Sequence, residues 1–261
     1  MITKYYILLS LLSITASPLS AQDSAPSLKF PSPTGEGSGV RPEGGESRGE
    51  SAGCVTPILS VDLVNQYIWR GQDLGDVSLL PTLGVEWKGL SLSAWGNVGI
   101  SDFSDDKEVD LTLAYSIAGF NVGITDYWFS KGSYFQYKSG KTTHVWEANV
   151  GYDFGFLSVQ WFTNFAGDDG LNKDGKRAYS SYFELSAPFR LATLDWTATL
   201  GAVPYATSFY DANGFCITNI SLRATKDFVI KEKYHLPVFA GLTANPRSEK
   251  LYFLFGVSFS M

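Results

Sequence analysis

Residues 108–125 read EVDLTLAYSIAGFNVGIT. Val109, Leu111, Leu113, Tyr115 and Ile117 alternate with Glu108, Asp110, Thr112 and Ser116. After a tight turn at Ala118-Gly119, Phe120, Val122 and Ile124 alternate with Asn121, Gly123 and Thr125. A period of two sends successive side chains to opposite faces of a strand, so each of these strands has one apolar and one polar face.

The same text runs outward in both directions. Upstream, Leu59, Val61, Leu63, Tyr67 and Trp69 alternate with polar residues, as do Leu79, Leu83, Val85 and Trp87, and then Leu90, Leu92, Ala94, Val98 and Ile100. Downstream, the segments centred on Ala148, Val159, Phe183, Ala198, Leu222, Ala240 and Phe255 repeat it, giving twelve between Pro57 and Met261. That allots about 17 residues to a strand and its connection, where a membrane-spanning strand needs about 9–11. Connections at Lys88-Gly89, Ala118-Gly119 and Asp153-Phe154-Gly155 are short; those at Arg70–Val77, Ser130–Lys141, Gly167–Lys176 and Pro204–Gly214 are long and polar. Short turns on one side and long loops on the other are the layout of an outer-membrane barrel, with the short turns periplasmic. Thr225–Lys233 is long for a periplasmic turn. A secreted β-sandwich would also alternate, but its apolar faces need a second layer to cover them. The expected fold is therefore an all-β, transmembrane, up-and-down antiparallel β-barrel of about twelve strands at residues 57–261. Tyr67, Trp69, Trp87, Tyr127, Trp128, Phe129 and Tyr152 are expected to form aromatic girdles at the lipid–water interfaces.

Composition agrees with a wall between lipid and water. The 261 residues are 44% hydrophobic and 15% aromatic but only 18% charged, and mean hydropathy is −0.01. A net charge of −6 argues against nucleic acid held through phosphate contacts. Residues 1–21 read as a secretory signal peptide: Lys4, an apolar run from Tyr6 to Ile14, then a small-residue cleavage point before Gln22. Residues 22–56 are mostly Gly, Ser, Pro and Glu and read as a disordered linker. Cys54 and Cys216 fall at opposite membrane faces, too far apart to bridge. Ser51-Ala52-Gly53-Cys54 lies too far downstream of the apolar run to be a lipoprotein box.

One stretch carries a family resemblance. Val61 to Gly71 reads VDLVNQYIWRG, followed after a polar loop by Pro81-Thr82-Leu83-Gly84. With Glu108-Val109-Asp110-Leu111, Ala114-Tyr115, Tyr127-Trp128-Phe129 and Trp146-Glu147, it resembles the TorF family of porins. The family's proline at the aromatic cluster is absent. The resemblance covers roughly residues 57–261 and implies a porin-like barrel, with no catalytic residue. The alternating stretch Tyr252–Phe259 resembles the terminal strand signal of outer-membrane proteins, although Met261 replaces the usual final aromatic; it implies barrel-assembly machinery as a partner.

By parity the lumen receives Asp62, Glu86, Glu108, Asp110, Glu147, Glu184 and Asp195, together with Arg70, Lys88 and Arg223. Charge on the lipid face is costly, about 2–4 kcal/mol for a midplane Arg or Lys. Seven acids against three bases would bias a pore towards cations; alternatively these charges pair and fill a narrow barrel. Arg70 ends the first strand near the outside, and either pairs with Glu108, Asp110 or Glu147 to narrow the pore or snorkels to water at the rim. His144 falls on the apolar parity near the outer rim, with Ser180 and Ser181 two strands away and no motif joining them; His235 lies near the periplasmic end. Neither makes a catalytic set. No metal-ligand spacing is present, Gly167–Gly175 lacks the oxygen spacing of a calcium loop, and no cofactor is implied. The expectation is an outer-membrane barrel of a Gram-negative bacterium, in contact with membrane lipid, admitting small hydrophilic solutes or ions. A closed structural barrel or surface receptor is the alternative, and a lipid-modifying enzyme the third.

Overall fold

Fourteen strands carry the alternation in the computed structural model, which describes residues 54–101, 107–231 and 234–260. They are β1 (Thr56–Val64), β2 (Tyr67–Trp69), β3 (Gln72–Gly75), β4 (Ser78–Trp87), β5 (Leu90–Gly99), β6 (Glu108–Ile117) and β7 (Phe120–Trp128), then β8 (His144–Asp153), β9 (Ser158–Gly167), β10 (Ser181–Leu191), β11 (Leu194–Val203), β12 (Cys216–Ile230), β13 (Tyr234–Asn245) and β14 (Lys250–Ser260). All but β2 and β3 form one closed antiparallel barrel of twelve strands, each paired with its neighbour in sequence order. The ring closes where β1 meets β14, from Ser60 opposite Ser260 to Val64 opposite Gly256. Closure removes the unpaired edges that a sheet of this width would otherwise expose. The expected signal peptide, and residues 22–53 of the expected linker, lie outside the described residues.

Tight turns set the pairing at one end. Lys88-Gly89 and Ala118-Gly119 both have positive φ at both positions. That is the type I′ geometry whose twist matches a two-residue hairpin. The register then sets large apolar side chains opposite one another on one face, as in Val85 opposite Leu92 and Leu113 opposite Ile124.

That face is the outside. Every barrel strand contributes an exposed large apolar side chain: Leu59, Leu83, Leu92, Leu113, Ile124, Val150, Trp161, Phe189, Leu200, Leu222, Leu242 and Phe253, in chain order. A soluble protein rarely exposes a contiguous apolar patch beyond a few hundred Å². A continuous oily belt around a closed ladder is the surface of a barrel solvated by acyl chains. Strands of about ten residues, tilted as such strands are, match a hydrocarbon band roughly 25 Å tall. Among the described residues no second sheet covers this face, as a sandwich would require.

Two expectations at the ends are corrected. Most of the expected Thr225–Lys233 turn is strand: β12 continues to Ile230 and pairs with β13 down to Ile230 opposite Tyr234. The hairpin thus outruns β11, whose pairing stops at Asp195 opposite Thr225. The first strand stops at Val64 rather than reaching Trp69, and the chain turns inward there.

Candidate functional site

The segment Arg70–Val77, expected as a long outer loop, instead belongs to a small hairpin folded inside the barrel. Trp69 and Gln72 face each other across Arg70-Gly71, with φ of 52° and 78° at the two turn residues. This is again the two-residue I′ turn. Asn65 makes the entry. Its amide donates to the Phe253 carbonyl at 2.9 Å, and its side-chain oxygen accepts from the Phe255 N–H at 2.7 Å. These bonds extend the β14 pairing one step as the chain leaves the wall. Within the hairpin, Gln66 donates to Asp73 at 2.9 Å.

The contacts of this hairpin come from around the ring. The Tyr67 ring lies 5.3 Å from Trp95 of β5, and its hydroxyl bonds Glu108 of β6. Ile68 packs with Tyr252 and Leu254 of β14. Trp69 packs against Tyr127 of β7, and against Phe209 and Tyr210 of the β11–β12 loop, at centroid distances of 5.8, 6.1 and 5.9 Å. At the tip, the Gly71 carbonyl accepts from Asn245 of β13 at 2.9 Å. A Cβ on Gly71 would sit 1.8 Å from the Thr218 carbonyl oxygen of β12, so glycine is required there by both space and φ. Contacts from β5, β6, β7, β12, β13 and β14 at once are possible only from the lumen. The hairpin occupies the half nearer the long loops.

Arg70 is the centre of the site. Its guanidinium donates to both Glu147 carboxylate oxygens, at 2.6 and 2.9 Å, and to the Tyr210 hydroxyl at 2.5 Å. The charge sits over three rings, Phe162, Trp69 and Tyr182, at 4.1, 4.4 and 4.7 Å. Tyr127 donates to the same Glu147 carboxylate at 2.9 Å. Burial alone would depress the guanidinium, but Glu147, Tyr210 and Tyr127 together hold it above its ordinary value, so it remains charged. Burial also raises the Tyr210 phenol, against the pull of Arg70, which keeps its hydroxyl proton in place. A bidentate pair with all its acceptors filled is the geometry that offsets the desolvation of both charges.

Neighbouring residues shape the cage. Tyr182 donates to Glu184 at 3.0 Å and accepts from Asn219 at 3.3 Å. Its ring lies over the inner face of the neighbouring β11, where Gly201 leaves the room: a Cβ there would fall 1.8 Å from the Tyr182 hydroxyl oxygen. Glu108 and Asp110 lie buried on β6 beside Tyr67. Lower in the lumen, Arg223 stacks at 3.5 Å on Phe239, with Asp62 close enough to feel its charge.

The remaining sequence candidates are scattered. Glu86 is half-buried on β4 near the short-turn end. Lys88 sits in that turn over Trp87, 5.2 Å from the ring. Asp195 is 60% exposed at the rim, 3.3 Å from Arg190 across the β10–β11 hairpin. The site therefore draws on Arg70 and Glu147, with Glu108, Asp110 and Glu184 around them. The sequence reading missed Tyr67, Trp69, Phe162, Tyr182 and Tyr210. Of the expected girdle, Tyr67, Trp69 and Tyr127 are corrected to the interior, where all three are buried; Trp87 and Tyr152 are exposed on the outer face.

The two histidines make other contacts. His235 pairs with Asp227 across β12 and β13. His144 is not at a wet rim. It is fully buried on the outer face, its Nδ1 2.7 Å from Asp126 and its Nε2 2.6 Å from the Tyr134 carbonyl. Ser180 bonds Thr207 instead. Cys54 and Cys216 are both free.

No family model matches this chain, and no curated protein matches it. Among solved structures, Salmonella typhi OmpF in complex with daunomycin aligns over 70% of this chain and 61% of its own, at 15% identity and a TM-score of 0.33. A mutant of the Rh. blastica porin aligns over 80% of this chain and 100% of its own, at 10% identity and a TM-score of 0.31. This chain thus spans less than two thirds of the OmpF chain it matches. The barrel itself rests on its own strand pairing.

Proposed function

We propose that this chain is a porin-like channel of a Gram-negative outer membrane, with the Tyr67–Gly75 hairpin as its constriction. The observation that carries this reading is a polar, charge-bearing lumen inside a closed ladder whose whole exterior is apolar. Such a wall admits water and small hydrophilic solutes on one side only. The resemblance of the first segment to the TorF family points the same way.

Carboxylates outnumber cations on the inward parity, with Asp62, Glu108, Asp110, Glu147 and Glu184 against Arg70 and Arg223. This supports a preference for cations over anions. A second reading, a closed barrel serving as a surface receptor, is favoured by the aromatic packing of the outer half.

Planar-bilayer recording separates the two. Open steps, with a reversal potential shifted towards the cation side in a salt gradient, are expected of a channel. Silence from both the native chain and a hairpin-loosened variant such as Arg70→Ala would overturn the channel reading in favour of the closed barrel.

A further inference from the structure

The loop after β7 differs from its neighbours in where it lies and in its charge. Residues 129–143 read FSKGSYFQYKSGKTT, with three lysines and no acid. Phe129 still packs inward, on Tyr127 at 6.1 Å, but the rings from Tyr134 onward contact the outer wall. Tyr137 stacks on His144 at 4.3 Å and meets Trp146 at 6.4 Å; both belong to the lipid-facing parity of β8. Tyr134 packs edge-on against Trp128 at 5.3 Å and against His144 at 5.2 Å. The Tyr137 hydroxyl donates to Asp126 at 3.4 Å. His144 thus fastens the strap to the wall, with one ring nitrogen on Asp126 and the other on the Tyr134 carbonyl.

What the strap presents outward is amphipathic. Phe135 is 84% exposed, beside half-exposed Tyr137, at the end of the barrel where the apolar belt stops. Lys138 and Lys141 are exposed and make no ion pair among the described residues. A free aromatic at the edge of the belt fits acyl chain, and flanking ammonium groups without counter-charge fit phosphate. An isolated phosphate would use the lysines but leave Phe135 without a role.

We infer that the 130–143 strap is a binding surface for an anionic, phosphate-bearing lipid of the adjoining leaflet, with Lys138 and Lys141 on the headgroup and Phe135 among the acyl chains. This rests on the membrane-spanning reading above, which is checked first by flotation of the reconstituted full chain with vesicles; a chain that stays with the aqueous phase defeats that reading rather than this one.

The test is native mass spectrometry of the full chain from micelles doped with phosphatidylglycerol or phosphatidylcholine. Preferential retention of phosphatidylglycerol is expected. Lys138→Gln with Lys141→Gln should weaken it about 25-fold, at about fivefold per lysine near a charged headgroup. Phe135→Ser should weaken both lipids without removing the preference. Unaltered heat-modifiable migration confirms that each variant still folds. Equal retention of the two lipids, a double variant that binds as the native chain does, or displacement of the lipid by inorganic phosphate at matched concentration would each overturn the proposal.

Discussion

The two halves of the lumen are built from the same twelve strands and filled in opposite ways. Towards the short turns, the inward positions are Ser91, Ser93, Thr112, Ser116, Asn121, Ser186, Thr197, Thr199 and Ser221, small polar groups that bond across strands, as Thr112 does to Thr125 at 3.0 Å and Ser186 to Thr199 at 3.2 Å. Towards the long loops, Tyr67, Trp69, Trp95, Tyr127, Phe162, Tyr182 and Tyr210 form an aromatic core around one arginine. The first half is a wall of short polar side chains. The second is a small protein core inverted into a barrel. Strand alternation builds the former; an added element, the hairpin, builds the latter by carrying Tyr67, Trp69 and Arg70 inside the ring.

Four substitutions would break or sharpen this contrast. The largest effect is expected at Gly71→Val. With φ at 78° and backbone pressed against the tip, the hairpin cannot seat, and bilayer conductance should rise while the barrel still migrates as a folded band. An unchanged conductance would mean that the hairpin does not occlude the passage. Arg70→Ala follows, since it leaves Glu147 buried and unpaired, a cost of about 3–5 kcal/mol. Hydrogen exchange should show residues 65–77 losing protection while the strand ladder keeps it; loss across both would show that the two halves are one cooperative unit. Thr199→Ala, in the polar half, should cost only about 1 kcal/mol in denaturant unfolding, the net worth of one hydrogen bond. Asp195→Asn should change stability by no more than about 0.5 kcal/mol, since its pair with Arg190 is exposed at the rim and screened. A larger loss there would place Asp195 in the working lumen after all.

The hairpin was written in the sequence but in an ambiguous form. Arg70-Gly71 is the same X-Gly pair as Lys88-Gly89 and Ala118-Gly119, and all three adopt the same turn. The latter two were legible because long alternating runs flank them. Around Arg70-Gly71 the flanks are three and four residues long, and Tyr67 and Trp69 continue the parity of Leu59, Val61 and Leu63 as though β1 had not ended. Asn65 breaks that continuity by bonding β14 through its side chain, an interaction invisible until β14 is placed. Phe162, Tyr182 and Tyr210 were missed for a related reason: each is one aromatic in a strand or loop full of them, and only the register turns it towards Arg70. The pairing of Arg70 with Glu147 was among the three expected options, but nothing local could choose it over Glu108 or Asp110.

Local chemistry alone determined the strands, their number, which face is oily, and the tight turns at one end, because dyad alternation and turn residues act over two to ten neighbouring positions and every segment repeats them. Tertiary structure decided what stands inside and outside that wall: the hairpin docked in the outer half, the cage around Arg70, and the strap clamped over His144. Each of these depends on partners scattered along the chain from Tyr67 to Leu254, which come within reach only once the ring has closed.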